Sequence, residues 1–332
     1  MFRRRASAVL AGLALAAGLA LPLRANSSLF YFELQGLAGY SMAAKKMIFF
    51  SQEQSETMQK PGLGFDYVQR FSGDSGDFAV LAVQARLAWN ADGPRTLEPQ
   101  LYNAYLKFKM RPFDLWVGHE RPKFGLASIL DSHGLLLQPL GMKGFGFDRD
   151  WGVGIERQTE TGDYGFSLTT GSGMDLRLRG NYFLSGRIGF GVLNTDNFTA
   201  GFSLGYGKLM DVMGYEILSR TLIDFAMAGA DLTWLNDRLE NRLEIMGGRR
   251  AGQTTFAGLW RLGVGLLDEN RLKLEFQPAA VITVESTRFE FAAGAAFQAN
   301  ADWTMRTMAV YDTAQRDFRV VLQVYFYKGI RL

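Results

Sequence analysis

The chain has no cysteine, and in 332 residues it has two histidines, His119 and His133. The first absence excludes disulfide scaffolds, thiol nucleophiles, cysteine-ligated zinc or iron–sulfur centres and thioether-bound haem. The second leaves too few imidazoles for a histidine-rich metal site. Nucleophilic catalysis needs a base held beside a hydroxyl. His119 beside Glu120 and His133 beside Ser132 are only chain neighbours, so no enzyme and no cofactor are expected. Beyond the N-terminal segment there is no run of about eighteen apolar residues, so no membrane-crossing helix is expected either.

The N-terminal segment reads as a secretory signal peptide over 1–25. Arg3, Arg4 and Arg5 precede an uncharged apolar run from Ala8 to Leu21, and Ala25 offers a small residue for cleavage. Taking 1–25 away removes four arginines and no acid, which leaves 32 basic against 33 acidic residues. The apparent basic character belongs to the leader, and no nucleic-acid partner is expected. Residues 26–332 then form one domain.

What remains alternates with period two. Phe318, Val320, Leu322, Val324 and Phe326 share one face of the last segment, with Arg319, Gln323, Tyr325 and Tyr327 on the other. Tyr102, Ala104, Leu106 and Phe108 alternate with Asn103, Lys107 and Lys109, and Leu239, Leu243 and Ile245 with Glu240, Arg242 and Glu244. A soluble sandwich also alternates, but its strands are mostly about five or six residues long. Here the segments run to about ten to fifteen, and charges sit on nearly every polar face.

Sixteen strands are expected: 29–42, 62–72, 77–90, 98–109, 113–121, 151–160, 163–171, 181–192, 197–206, 221–235, 238–249, 253–267, 270–284, 287–300, 302–312 and 316–328. Short Gly-, Asn- and Asp-containing turns, such as Asn236-Asp237 and Asn300-Ala301-Asp302, alternate with the long connections 43–61, 122–150, 172–180 and 207–220. That asymmetry belongs to an all-β transmembrane antiparallel barrel, the one membrane architecture left once helices are excluded. The expected location is the cell outer membrane of a Gram-negative organism, with lipid as a partner. Trp89 and Trp151 fall near the long-connection end, and Trp234 and Trp303 near the short-turn end, as interfacial aromatics do.

The connection 122–150 is too long and too apolar to stay in water. Leu135, Leu136, Leu137, Leu140, Phe145 and Phe147 are expected to carry it into the barrel as a constriction, with an extracellular cap or a subunit-contact loop as the alternative. Its candidate functional residues are Lys123, Phe124, Asp131, His133, Lys143 and Arg149. The run VGHERPKFGLASILDS, followed by LLLQPLGMKGFGFDRDWGVGIE, resembles the third-loop region of phosphate-selective porins of the O/P type. Lys123-Phe124-Gly125 and Arg149 with Gly152-Val153 are the matching residues. The resemblance covers about 40 residues and implies a sixteen-stranded, trimeric channel constricted by its third loop.

That family's anion selectivity goes with a cationic lumen, which parity does not give here. Inward faces are assigned Arg70, Arg86, Lys107, Lys109, Arg187, Arg242, Arg261, Lys273, Arg288, Arg306 and Arg319. Against them stand Glu33, Asp66, Asp114, Glu120, Glu156, Asp224, Glu240, Glu244, Glu275 and Glu290. Eleven against ten gives no strong field, so phosphate preference is not carried over. The C-terminus also departs from such barrels, because five residues, Lys328 to Leu332, follow the aromatic pair Phe326 and Tyr327. The expected pore lining is Arg70, Arg86, Lys107, Lys109, Glu120, Arg187, Arg242, Arg261, Lys273 and Arg306. The expected function is passive diffusion of small hydrophilic solutes or ions with weak charge selectivity. The alternative is a barrel that sheathes a partner such as a multihaem cytochrome.

Overall fold

The structure, a computed structural model, describes residues 25–49, 60–74, 76–90, 96–131, 134–193 and 195–331. The expected signal peptide lies outside the described residues except for Ala25, where the first strand begins. The strands are β1 (Ala25–Ser41), β2 (Lys46–Ile48), β3 (Gly62–Gly73), β4 (Gly76–Trp89), β5 (Leu97–Lys109) and β6 (Asp114–Glu120). They continue as β7 (Asp150–Gln158), β8 (Gly162–Thr169), β9 (Tyr182–Phe190), β10 (Phe198–Met213), β11 (Glu216–Asn236) and β12 (Leu239–Arg250). The last are β13 (Gln253–Leu266), β14 (Leu272–Thr283), β15 (Thr287–Gln298), β16 (Trp303–Asp312) and β17 (Asp317–Arg331). Three single-turn 3-10 helices, at Leu126–Ser128, Leu140–Lys143 and Asp268–Asn270, are the helical elements among the described residues.

β2 is a three-residue strand that pairs with the end of β1, from Gly39 to Ser41. The other sixteen strands form a closed antiparallel barrel in which each pairs with its chain neighbours. β1 meets β17 from Leu29↔Arg331 to Ser41↔Arg319, and this seam satisfies the last open edge. Closure is what lets a sheet stand in hydrocarbon, because every backbone N–H and C=O of the wall then has a partner. All sixteen expected strands are present. Residues 328–331 continue β17 against β1.

Alternation puts an apolar belt outside. Leu63, Phe65, Phe202, Leu204, Leu243, Ile245, Phe276, Leu322 and Val324 are exposed there, while their strand neighbours turn inward. Turn chemistry sets the short end: Asp237 takes a left-handed backbone (φ 52°) in the β11–β12 hairpin, which an acidic side chain tolerates.

One connection differs from expectation. Residues 207–213 and 216–220 are not loop but the tips of β10 and β11, joined at Gly214 and Tyr215. Gly, Asp and Met disguise the alternation there, and two register irregularities around Asp211 break it further. The hairpin reaches back towards β5, where the Tyr215 hydroxyl donates to the Leu101 carbonyl at 2.7 Å. The burial that comes with this contact pushes that phenol up.

Candidate functional site: a loop seated inside the barrel

The connection between β6 and β7 folds back against inward-facing residues of many strands. Lys123 N–H donates to Ser167 Oγ on β8 (3.0 Å) and Gly125 N–H to Ser203 Oγ on β10 (3.0 Å). Leu126 and Leu140 N–H donate to the two carboxylate oxygens of Glu244 on β12, at 2.7 and 2.9 Å. Arg261 on β13 donates to the Leu137 carbonyl at 2.7 Å, and Gln277 on β14 to the Gln138 carbonyl at 3.1 Å. Arg250 donates to the Gly144 carbonyl at 3.0 Å.

Two apolar clusters seat the loop. In the larger, Phe124, Leu140, Phe145 and Phe147 meet Phe183, Leu209, Phe225, Met227, Met246 and Leu259, which point inward from β9 to β13. Phe124 lies 5.7 Å from both Phe183 and Phe225, edge to face, the arrangement that ring quadrupoles favour. In the smaller, Leu136 and Leu137 pack with Leu37, Met308, Val310 and Val321 of β1, β16 and β17. These contacts bury the loop's apolar side chains as its composition demands.

The loop residues singled out from sequence fall as follows. Lys123 is ion-paired with Glu156, and Phe124 is buried in the larger cluster. Asp131 pairs with Arg121 at 2.7 Å, and Lys143 with Glu290. Arg149 is buried, bonds Asn103 Oδ1 at 2.7 Å and pairs with Asp148 at 2.9 Å. Asp148 and its further acidic neighbours hold its guanidinium above its ordinary pKa, against the pull of burial. His133 lies outside the described residues.

The expected lining residues take inward positions on the wall. Arg86 donates to Gln100 Oε1 (2.9 Å) and to the Tyr102 hydroxyl (2.5 Å), with Glu33 at 3.7 Å. Lys107 pairs with Glu156 and lies 3.6 Å from Glu120, while Lys109 lies 3.6 Å from Asp77. Arg187 bridges Asp163 (2.7 Å) and Asp231 (2.8 Å). Arg242 pairs with Glu240, and Lys273 lies 2.8 Å from Glu240 and 3.2 Å from Glu275. Arg261 and Arg306 bond the neutral oxygens of Gln277 (2.7 Å) and Gln323 (3.0 Å). Arg70 shares the inward parity of Asp66 and is exposed near the short-turn end.

The structure corrects two parity assignments. Asp224 is exposed on the outer face opposite Lys208, because Phe225 and Met227 take the inward positions of β11. Tyr102 turns inward onto Arg86, because a register shift between Gln84 and Ala85 reverses the alternation on β5. The interior is also drier than a lumen of uniform charge suggests: Arg86 is 3% exposed, Arg261 3% and Gln277 1%. Sequence reasoning missed the inward Phe183, Phe225 and Trp116, and the partner acids Asp163 and Asp231. Apolar residues at both parities over 222–228 are the one signal that could have found the seat.

No family model and no curated protein matches the chain. Solved structures do. The chain is similar to OmpF of Salmonella typhi in complex with daunomycin (TM-score 0.66, 9% identity, 91% of this chain and 98% of that one). It is similar to an anion-selective porin from Comamonas acidovorans (TM-score 0.60, 12% identity, 92% and 99%). A third is the outer membrane channel DcaP of Acinetobacter baumannii (TM-score 0.57, 10% identity, 91% and 98%). The fold is that of outer-membrane porins.

Proposed function

We propose that the chain is an outer-membrane porin through which small hydrophilic solutes or ions diffuse passively, with weak charge selectivity and a bore limited by the loop 121–149. The observation that carries this reading is a porin-type barrel whose inward wall is charged while its longest loop is fastened inside. Weak selectivity follows from pairing. Lys107, Lys123, Arg187, Lys273 and Arg242 each sit against carboxylates, so little net field is left to sort ions. A sheath around a threaded partner needs the volume that Phe124, Phe145 and Leu137 already occupy, which weighs against that role. No chemistry is assigned to the wall, and a homotrimer is the assembly that the third-loop resemblance implies.

Planar-bilayer recording of the full chain tests the reading. Discrete conductance steps are expected, with a reversal potential near zero in a salt gradient. Deletion of 126–140 is expected to enlarge the steps. A folded barrel that carries no current, with or without that segment, overturns it.

A further inference from the structure

We propose that Glu244 is the clasp that holds the loop inside the barrel, joining the loop's two arms through one carboxylate. Its effect on the passage rests on the porin reading; its effect on the loop does not. Leu126 and Leu140 are far apart in sequence, yet both donate their backbone N–H to this side chain, one to each oxygen. The loop's first and second 3-10 turns begin at these two residues, so the carboxylate ties together the start of each arm.

Three features mark the contact as built rather than incidental. First, Glu244 is fully buried at the centre of the β12 inward row, between Arg242 and Met246. Second, its neighbours on the wall are spent differently: Glu240 and Glu275 lie against Arg242 or Lys273, and Glu290 against Lys143. For Glu244, by contrast, the hydrogen bonds among the described residues are the two from loop amides. Third, Gly125 adopts φ 63° directly above it, and a Cβ there would fall 2.5 Å from Oε1. The left-handed backbone brings the Leu126 amide onto the carboxylate, and only the missing side chain allows that approach. A buried carboxyl group left without partners is costly, and here the two hydrogen bonds it accepts close one ring of chain.

Removal of one acceptor opens the clasp without emptying the site. A glutamine keeps one carbonyl oxygen and turns an NH2 towards the other amide, donor against donor. The arm so released is free to lift its apolar residues from the wall, including Leu136 of the smaller cluster.

The natural chain has no cysteine, so a single Leu136→Cys substitution gives a clean reporter. The full chain is refolded into vesicles, its folding is checked by heat-modifiable migration, and the reporter is labelled with a hydrophilic maleimide. Labelling is expected to be slow in the reporter alone and roughly tenfold faster or more with Glu244→Gln, the factor that one buried amide left without its acceptor implies. Glu244→Asp keeps both oxygens, withdrawn by one methylene, and is expected to fall between the two. Glu240→Gln removes a charge four residues away on the same face and is expected to label like the reporter alone. Equal labelling with and without Glu244→Gln overturns the clasp, and so does acceleration of the same size by Glu240→Gln. Conductance separates the two readings: fast labelling in a silent barrel leaves the clasp standing and removes the porin, while slow labelling in a conducting one does the reverse.

Discussion

The two sides of the interior are furnished differently. From β1 through β7 the inward wall is mostly polar: Glu33, Gln35, Gln84, Arg86, Gln100, Lys107, Glu120 and Glu156, with Leu37 and Trp116 as the apolar exceptions. From β9 through β13 an apolar patch, Phe183, Leu209, Phe225, Met227, Met246 and Leu259, shares the inward wall with Arg187, Arg242, Glu244 and Arg261. Both rows belong to one barrel and alternate with the same lipid-facing belt. An inward apolar side chain in a water-filled barrel loses about 25 cal/mol for each Å² left wet, so such a row persists only where something covers it. The loop supplies the cover through Phe124, Leu140, Phe145 and Phe147. The polar side is ordered by pairs and hydrogen bonds instead, and the contrast maps where the loop rests.

The largest expected effect is on the polar side. Arg86→Ala removes the cation beside buried Glu33 together with the hydrogen bonds to Gln100 and Tyr102. Loss of one member of a buried charged network costs about 3–5 kcal/mol, since the remaining polar groups stay out of water. Denaturant unfolding of the refolded barrel in micelles measures it. A loss below about 1 kcal/mol would mean that water reaches this network freely, and the two sides would differ less than their residues suggest.

Phe225→Ala probes the greasy side and is expected to cost slightly less, about 3 kcal/mol, borne by the loop rather than the barrel. Phe225 touches Phe124 of the loop and Phe183 of the wall at 5.7 and 5.6 Å, so truncation unseats the loop while the strand ladder stays closed. Hydrogen exchange of the Gly125 and Leu126 amides should quicken, with the unfolding midpoint of the barrel lowered much less than by Arg86→Ala. Equal losses of barrel stability in the two variants would make seat and wall a single cooperative unit.

The outer surface was more legible in sequence than the interior, for a physical reason. Lipid constrains every outward position alike, so Leu243 and Ile245 or Leu322 and Val324 announce their face by simple alternation. The inward positions answer to local partners that are distant in sequence. Arg86 and Lys107 were readable because a charge at mid-wall is costly on the lipid-facing side, while near the strand ends, as at Lys208 and Asp224, it is tolerated there. Phe225 was not, because its reason for facing inward is Phe124, about a hundred residues earlier. Tyr102 and Asp224 were assigned to the wrong faces where a register shift or a greasy inner row broke the period. The loop's need to bury its leucines and phenylalanines was legible, but its contact with Glu244 was not. A glutamate that accepts two amides is written in sequence like one that pairs with a lysine.

The smallest expected effect lies where the two sides meet. Glu156 on β7 pairs with Lys107 of the polar wall and with Lys123 at the root of the loop. Glu156→Gln leaves both ammonium groups in place, with Glu120 still 3.6 Å from Lys107. All three side chains keep some access to water, so the cost in stability is expected to stay within about 1 kcal/mol. Charge selectivity should respond instead. Removing one negative charge beside two positive ones makes the local potential more positive, which favours anions and disfavours cations along any path that passes it. In a salt gradient the reversal potential should therefore move from near zero towards the anion equilibrium potential, and high ionic strength should shrink the shift by screening. A matched variant at Glu290, which pairs with Lys143 on the loop's far side, provides the comparison. If Glu290→Gln moves the potential and Glu156→Gln does not, ions pass along the β15 side of the loop, and the polar half of the interior is structure rather than passage.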